Sequence, residues 1–151
     1  MLAIGERASE FTLPDHDGKD RSLTELLGSG AIVLYFYPAD FSPACTRQAC
    51  ALRDLHTEIE SAGMRLVGIS PQPVDSHTRF RLQHQLPFVL LSDELKTVIK
   101  MYGAGGPLGL GVRRISYLLD AARRVRDVML ADFRIERHVE LVRKAVMLRR
   151  P

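Results

Sequence analysis

Runs of apolar residues recur along the chain and predict six β-strands, at residues 8–13, 32–37, 64–70, 88–91, 113–119 and 125–130. The run at residues 32–37 is continuous, aromatic and β-branched, which is typical of a strand covered on both faces. An Asp-Gly pair follows the first strand within a polar turn at residues 15–19, and this pair indicates an N-terminal hairpin.

Between the strands, apolar residues spaced three and four apart predict helices. The longest covers residues 43–61, and its apolar face carries Cys45, Ala49, Leu52, Leu55 and Ile59. Shorter helical segments lie at residues 22–27, 76–85 and 93–101, and a final helix covers 134–149 with Asp132 as its candidate cap. Strands that alternate with helices predict an α/β fold, with helices on both faces of one sheet. The chain length fits a single domain over residues 1–151.

Two loop segments have compositions that are also found in ligand-binding sites. Asp15, His16 and Asp17 are adjacent and could form a metal cluster, but adjacent polar residues at a turn are more often solvated. Residues 103–111 hold five of the eleven glycines. Leu108 occupies the third glycine position of G-x-G-x-x-G, and the segment follows a helix rather than a strand, which argues against a dinucleotide site. We predict no metal and no cofactor, and a mobile loop at residues 103–111 that borders the active pocket.

The composition narrows the class of protein. Hydrophobic residues make up 46% and charged residues 26%, as in ordinary globular domains. The net charge of +3 is small, and its basic residues are mixed with acidic ones, so nucleic-acid binding has little support. We see no leader-like start and no apolar run of membrane length, and two cysteines suggest redox chemistry rather than a disulfide scaffold. We therefore expect a cytoplasmic protein without membrane association.

Both cysteines lie in one stretch, residues 35–50, which leads from the most apolar strand through a turn into the longest helix. Pro38 ends the strand, Ser42 takes the N-cap position and Pro43 the first helical position. Cys45 is then the third helical residue, at the positive end of the helix dipole and near backbone N–H groups that have no helical partner. Both features favour a thiolate, which suits nucleophilic attack. A buried, inert thiol is the alternative.

The spacing Pro38-x-x-x-Ser42-x-x-Cys45 resembles the active-site motif of the peroxiredoxins, Pro-x-x-x-Thr/Ser-x-x-Cys. Its continuation, Cys-Thr-x-Gln-Ala-Cys followed by Leu-Arg-Asp, is similar to the bacterioferritin-comigratory (PrxQ-type) branch of that family. The resemblance covers nearly the whole chain, with further matches at residues 5–14, 66–70, 90–93 and 114–120. It implies a thioredoxin-like fold with a central mixed sheet, and a thiol-dependent peroxidase that reduces hydrogen peroxide and organic hydroperoxides.

The resemblance also assigns roles to individual residues. Cys45 corresponds to the peroxidatic nucleophile, which is oxidised to a sulfenic acid. Cys50 corresponds to the resolving cysteine, which closes an intramolecular disulfide. Arg114 corresponds to the family's arginine, which stabilises the thiolate and polarises the peroxide through its fork of donors. Arg113 points to the opposite face of the predicted strand, so only one of the two arginines can reach the site.

Two further residues have both a catalytic and a structural interpretation. Ser42 corresponds to a hydroxyl that orients the peroxide, and it can also cap the helix through its acceptor lone pairs. Pro38 corresponds to a residue that walls the pocket, or it simply ends the strand. The chain departs from the family pattern with serine in place of the commoner threonine and with Ala44 in place of glycine. His56 lies about three turns from Cys45, so we interpret it as structural.

The spacing of the two cysteines sets a geometric condition. Helical residues five apart have Cα atoms roughly 8.6 Å apart, whereas a disulfide rarely tolerates more than about 7 Å. The first turns of the helix must therefore unwind before Cys45 and Cys50 can bond. An inert Cys50 with an external resolving thiol is one alternative. A thiol–disulfide oxidoreductase is another, although it would normally carry Cys-x-x-Cys. A metal-binding or chaperone-like module is a third, but two cysteines without nearby histidines make a poor zinc site.

Recycling of the oxidised enzyme needs a reductant. We expect thioredoxin or a glutaredoxin-like dithiol protein in this role. Because a disulfide within one helix needs no second subunit, we expect a monomer or a weak dimer.

Overall fold

The structure is a computed structural model that describes residues 1–149. Within these residues, seven strands are formed: β1 (Thr12–Pro14), β2 (Asp20–Ser22), β3 (Ala31–Phe36), β4 (Met64–Ser70), β5 (Val89–Ser92), β6 (Ile115–Leu119) and β7 (Val125–Leu130). The helices are α1 (Leu23–Leu27), α2 (Pro43–Asp54), α3 (His56–Ser61), α4 (Val74–His84), α5 (Thr97–Met101) and α6 (Ile135–Arg149), with a short 3₁₀ turn at Pro107–Gly109. The last two residues of the predicted domain, 150 and 151, lie outside the described residues.

The central sheet has five strands in the order β5-β4-β3-β6-β7. Strands β3, β4 and β5 run parallel, and β6 and β7 pair antiparallel. The sheet is therefore mixed, as the resemblance implied. β1 and β2 form a separate antiparallel hairpin through the turn at residues 15–19, which confirms the N-terminal hairpin.

Helices cover both faces of the sheet. All six residues of β3 are buried, and alternate side chains enter two different cores. Ile32, Leu34 and Phe36 pack with the hairpin, α1 and α5, whereas Val33 and Tyr35 pack with α2, α3, α4 and α6. The continuous apolar run at residues 32–37 thus reflects a strand that is shielded on both sides.

Four predicted elements are wrong in their extent. The helix predicted at residues 93–101 forms only at Thr97–Met101, and the strand predicted at residues 113–119 begins at Ile115. The helix predicted over residues 43–61 is two helices, because the N–H of Leu55 bonds to the carbonyl of Leu52, three residues back, and this tighter turn ends the regular ladder of α2. The strand predicted at residues 8–13 forms only at Thr12–Pro14. Ala8 is buried, but its N–H bonds to the carbonyl of Arg123, so this segment lies against the β6–β7 turn instead.

The polar turn is also less solvated than predicted. Asp15 and His16 are buried, while Asp17 is exposed. The Asp15 carboxylate accepts bonds from the N–H groups of Asp17 and Lys19, which explains why it can be buried without a metal. Within residues 1–149, no group of three or more His, Cys, Asp or Glu side chains converges as a metal site would require.

Two further observations concern the remaining segments. In the loop at residues 103–111, Leu108 and Leu110 are exposed, and the expectation that this loop borders the active pocket stays a prediction. None of the helices within residues 1–149 has the length and apolar character needed to cross a bilayer.

Candidate active site

The site forms at one end of the two neighbouring strands β3 and β6, where β3 ends and β6 begins. β3 and β6 pair antiparallel with Phe36 opposite Ile115, so Arg114 emerges beside the turn that follows β3. Ser116, two residues on, lies opposite Tyr35, on the face that α2 and α6 cover. Arg114 immediately precedes β6, and its guanidinium contacts α2 on this same face. The pairing of β3 with β6 thus places Arg114 next to the start of α2.

The turn between β3 and α2 contains Pro38 and Ser42, both half-buried. Phe41 adopts a left-handed φ of +66°, which costs of order 1 kcal/mol or more for a residue with a side chain. Its ring packs edge-on against Phe80 of α4, with centroids 5.2 Å apart. This contact helps to hold the strained turn in place.

Ser42 does not cap the helix through its side chain, contrary to that interpretation. It occupies the N-cap position, but its hydroxyl donates to the carbonyl of Ala39 at 3.2 Å, and its side chain makes no capping bond. The lone pairs of the hydroxyl oxygen are therefore not committed to the helix. The carbonyl of Ser42 accepts the first bond of α2, from the N–H of Thr46 at 2.9 Å.

Cys45 is the third residue of α2, as predicted. Its side chain is 2% exposed. Because the first helical bond starts at Thr46, the N–H of Cys45 has no helical partner within the described chain. The sulfur therefore lies beside free backbone N–H groups at the positive end of the helix dipole.

Arg114 supplies a cation directly to this sulfur. Its Nη2 donates to Cys45 Sγ at 3.2 Å, and the residue is only 4% exposed. Its Nη1 donates to Oε1 of Gln48, one turn further along α2. A guanidinium donor to sulfur at this distance favours the thiolate form of the cysteine.

Asp132 fixes the backbone from which Arg114 projects. Its carboxylate accepts from the N–H of Arg114 at 3.0 Å, and its carbonyl accepts from Nε of Arg114 at 3.3 Å. Arg113 turns the other way and pairs with the same carboxylate at 2.8 Å. The bonds from Arg113, followed by the N–H of Arg114, lower the pKa of Asp132 below its ordinary value, so it stays ionised. Only Arg114 reaches Cys45.

Two buried polar groups near this pair have no hydrogen-bond partner within residues 1–149: the hydroxyl of Tyr35 and Nε2 of Gln48. Burial, followed by the negative charge of a Cys45 thiolate, raises the pKa of Tyr35 well above its ordinary value. The hydroxyl therefore stays protonated and can donate a hydrogen bond. Both groups are donors that a small polar molecule could satisfy.

Cys50 lies five residues along the same helix in a different environment. It is half-buried, and both cysteines are free thiols. α2 is continuous from Pro43 to Asp54, so the helix holds the two sulfurs on separate turns. The sulfur of Cys50 faces Nδ1 of His84 at 3.9 Å.

A buried polar cluster around Asp40 holds the turn between β3 and α2 in place. The carboxylate of Asp40 contacts the hydroxyls of Tyr37 and Ser76 and Nδ1 of His77, each at 2.7 Å. Nε2 of His77 faces the carbonyl of Leu91 at 3.1 Å. Both ring nitrogens therefore face oxygen atoms, so the buried imidazole has a hydrogen-bond partner at each end. The side chains of Asp40 and His77 are fully buried, so this cluster ties the turn to α4 and β5.

The sequence motifs did not point to several of these residues. Gln48 belongs to the PrxQ-like motif, but nothing in the sequence indicated that it bonds to Arg114. The others reach the site through contacts between residues far apart in the chain, and spacing carries no signal for such contacts: Asp40, His77, His84 and Asp132.

The sheet order, the hairpin and a thiol set against a guanidinium at a helix N-terminus define a thioredoxin-like fold of the peroxiredoxin type. The chain belongs to the AhpC/TSA family, whose model matches residues 4–128. The fold expected from the resemblance is thereby confirmed.

Individual relatives agree with this assignment. The crystal structure of peroxidoxin BcpB from Mycobacterium tuberculosis superposes with a TM-score of 0.93 and 34% identity, over 100% of both chains. Peroxiredoxin Q, chloroplastic, from Suaeda salsa is 42% identical over 140 residues, 92% of this chain and 65% of that protein. Peroxiredoxin Q from Xanthomonas campestris shares the fold, with a TM-score of 0.84 at 24% identity over 91% and 90% of the two chains.

The similarity to the PrxQ branch is thus confirmed. The chain spans only 64–65% of the length of the plant relatives it matches.

Proposed function

We propose that the protein is a thiol peroxidase in which Cys45 reduces hydrogen peroxide and organic hydroperoxides. The observation that carries the proposal is the bond of 3.2 Å from Nη2 of Arg114 to Cys45 Sγ at the first turn of α2. The guanidinium favours a thiolate, and its remaining donor capacity can polarise a peroxide oxygen.

In the first step, the Cys45 thiolate attacks one oxygen of the peroxide. A sulfur–oxygen bond forms, the oxygen–oxygen bond breaks, and hydroxide or an alkoxide leaves and takes up a proton. Arg114 and the free N–H of Cys45 stabilise the negative charge that develops on the oxygens. The hydroxyl of Ser42, which is not committed to capping, can orient the substrate, and Pro38 shields the pocket from water.

The burial of Cys45 favours a small substrate over a protein disulfide. Because the residue is only 2% exposed, a small molecule can approach the sulfur more readily than the disulfide of a folded protein can. The unpartnered donors of Tyr35 and Gln48 also match a small polar substrate. These observations weigh against the thiol–disulfide oxidoreductase alternative.

In the second step, we propose that Cys50 attacks the Cys45 sulfenic acid to close an intramolecular disulfide. The intact α2 keeps the two residues too far apart to bond, so its first turns must unwind between the two steps. Unwinding would also expose the disulfide to thioredoxin or a similar dithiol protein, the reductant we propose. A monomer or weak dimer and a cytoplasmic location remain our expectations.

Peroxide consumption by the wild type and two matched serine variants tests the proposal. With excess dithiothreitol as reductant, we expect Cys45→Ser to lose turnover completely, because the nucleophile is gone. After one equivalent of peroxide without reductant, the intact mass of the wild type should fall by two hydrogens, which reports a disulfide. Cys50→Ser should instead gain one oxygen.

Two results would contradict separate parts of the proposal. If Cys45→Ser still consumed peroxide, the nucleophile would be misassigned. If the wild type gained oxygen without closing a disulfide, the enzyme would be a one-cysteine peroxidase that depends on an external thiol.

A further inference from the structure

The resolving step needs a second thiolate, and the fold gives Cys50 none of the help that Cys45 receives. Cys50 is the eighth residue of α2, two turns beyond the positive end of the dipole, where backbone N–H groups are bonded within the helix. The guanidinium of Arg114 is engaged with Cys45 and Gln48. The thiolate rather than the thiol is the nucleophile, so the resolving step needs a group that can accept the proton of Cys50.

His84 is the group that meets this need. Its Nδ1 lies 3.9 Å from Cys50 Sγ, a contact in which the imidazole can accept the thiol proton. Hydrogen bonds of catalytic groups are often long before the reacting state forms. Nε2 of His84 makes no bond to the described residues, and the residue is half-buried, so this nitrogen can exchange protons with water.

Two contacts hold the imidazole in place. Nη1 of Arg53, one turn beyond Cys50, donates to the carbonyl of His84 at 2.8 Å and ties the end of α4 to α2. The His84 ring also packs edge-on against Phe80, with centroids 5.2 Å apart. Both contacts involve parts of the fold beyond the first turn of α2. The pair can therefore persist while that turn unwinds and brings Cys45 toward Cys50.

We propose that His84 is the general base of the resolving step, a role that rests on the proposed function of Cys50. Nδ1 takes the proton of the Cys50 thiol, and the thiolate attacks the sulfur of the Cys45 sulfenic acid. The sulfur–sulfur bond forms as the sulfur–oxygen bond breaks, and the departing hydroxide takes the proton to become water. The Cys50 sulfur is oxidised and the Cys45 sulfur reduced, so no further redox agent is needed.

The test measures the two steps separately in the full-length protein. Because the chain has no tryptophan, the reaction is best followed by rapid acid quench, alkylation of free thiols and intact mass. In His84→Gln, disulfide closure should slow by about 10²-fold, the lower range for loss of a general base. Oxidation of Cys45 should keep its wild-type rate. His56→Gln on α3, which replaces another half-buried histidine, should leave both rates unchanged.

The pH profile separates a base from a merely structural residue. Closure should depend more steeply on hydroxide concentration in His84→Gln than in the wild type, because the variant has no side-chain base to accept the thiol proton. Arg53, which donates to the carbonyl of His84, and its partner Asp54 are both retained in the variant. In His84→Ala, added imidazole should restore much of the closure rate.

Wild-type closure rates in His84→Gln would overturn the proposal, as would a slowed closure with an unchanged pH profile and no rescue by imidazole. A wild type that forms no disulfide at all would overturn the resolving role of Cys50, and this result is distinguishable because it requires no His84 variant.

Discussion

Cys45 and Cys50 lie five residues apart in one helix, yet their surroundings differ in every respect that controls a thiol. The sulfur of Cys45 is buried at the helix start and bonded to the permanent cation of Arg114. The sulfur of Cys50 is half-buried in the helix interior and faces the titratable ring of His84. The fold therefore gives one sulfur a fixed charge partner and the other a proton acceptor.

This difference matches the order of the two proposed steps. A nucleophile that meets substrate at random benefits from a charge partner that is always present, and arginine does not lose its proton. A resolving thiol is needed only after oxidation, and a neutral thiol avoids a second negative charge close to the first. Changes that affect one environment but not the other can test this comparison.

The largest expected effect comes from the buried polar cluster around Asp40, which holds the turn that precedes Cys45. Asp40→Leu would leave the hydroxyls of Tyr37 and Ser76 and the ring of His77 without their shared acceptor. Each buried polar group left without its acceptor costs about 1–3 kcal/mol, so the three together should cost roughly 3 kcal/mol or more. We expect a loss of this size in the free energy of unfolding, measured by urea denaturation.

The matched control is Asp75→Asn, which removes an exposed carboxylate next to Ser76 and should change stability by less than about 0.5 kcal/mol. Hydrogen exchange in Asp40→Leu should rise most at residues 38–45 and least near Cys50. Equal loss of protection along the whole of α2 would show that the two cysteines do not lie in separately stabilised regions.

The surroundings of Cys45 were also easier to predict from the sequence than those of Cys50. The motif spacing was enough to bring together Pro38, Ser42 and Cys45, because local turn and helix chemistry governs residues close in sequence. Arg114 was found only through the family resemblance. Nothing in the spacing indicated His84, since its contact with Cys50 depends on how α4 packs against α2. Periodicity does not encode the packing of separate helices.

The same limit explains the errors in the fold. The apolar stripe from Cys45 to Ile59 continues through Leu55, so periodicity could not reveal that one tightened turn separates α2 from α3. The burial of Asp15 depends on hydrogen bonds within its own turn, which composition alone does not show. The strands of the central sheet were more predictable, because burial on both faces leaves a continuous apolar run.

The next effect in size concerns the cation itself. Arg114→Leu removes the donor to Cys45 Sγ and to the developing oxyanion. Loss of one such donor usually costs about 10²–10³ in rate, and we expect this decrease in the rate constant for reaction with peroxide. The rate of alkylation of Cys45 by iodoacetamide at pH 7 should also fall, because less of the sulfur is thiolate.

Arg47→Leu is the charge-matched control, since Arg47 is exposed on the same helix and is not part of the site. It should retain peroxide reactivity within about threefold, a change of less than about 0.7 kcal/mol. In Arg114→Leu, alkylation of Cys50 should keep its wild-type rate. If both cysteines lost reactivity together, Arg114 would act on the whole helix rather than on one sulfur.

The smallest expected effect is a dependence of stability on pH, and it arises from His138, whose pKa is influenced by the charge of Arg114. His138 is fully buried on α6, where Nε2 donates to the carbonyl of Ala131 and Nδ1 accepts from Ser116, each at 2.8 Å. Burial, with a further contribution from the charge of Arg114, lowers the pKa of His138 below its ordinary value, although the carbonyl of Ala131 and Asp132 oppose this.

In the unfolded chain, this histidine regains its ordinary pKa of about 6.5. Below that pH the unfolded state binds the extra proton, so the free energy of unfolding should fall as the pH falls, by at most about 1.4 kcal/mol per pH unit for one proton. His138→Gln should have a lower stability at pH 7 but a shallower decline between pH 7 and pH 5. His16, whose pKa burial also lowers, contributes equally to both proteins, so the difference between the two slopes isolates His138. Identical slopes would mean that His138 does not contribute to the loss of stability at acid pH.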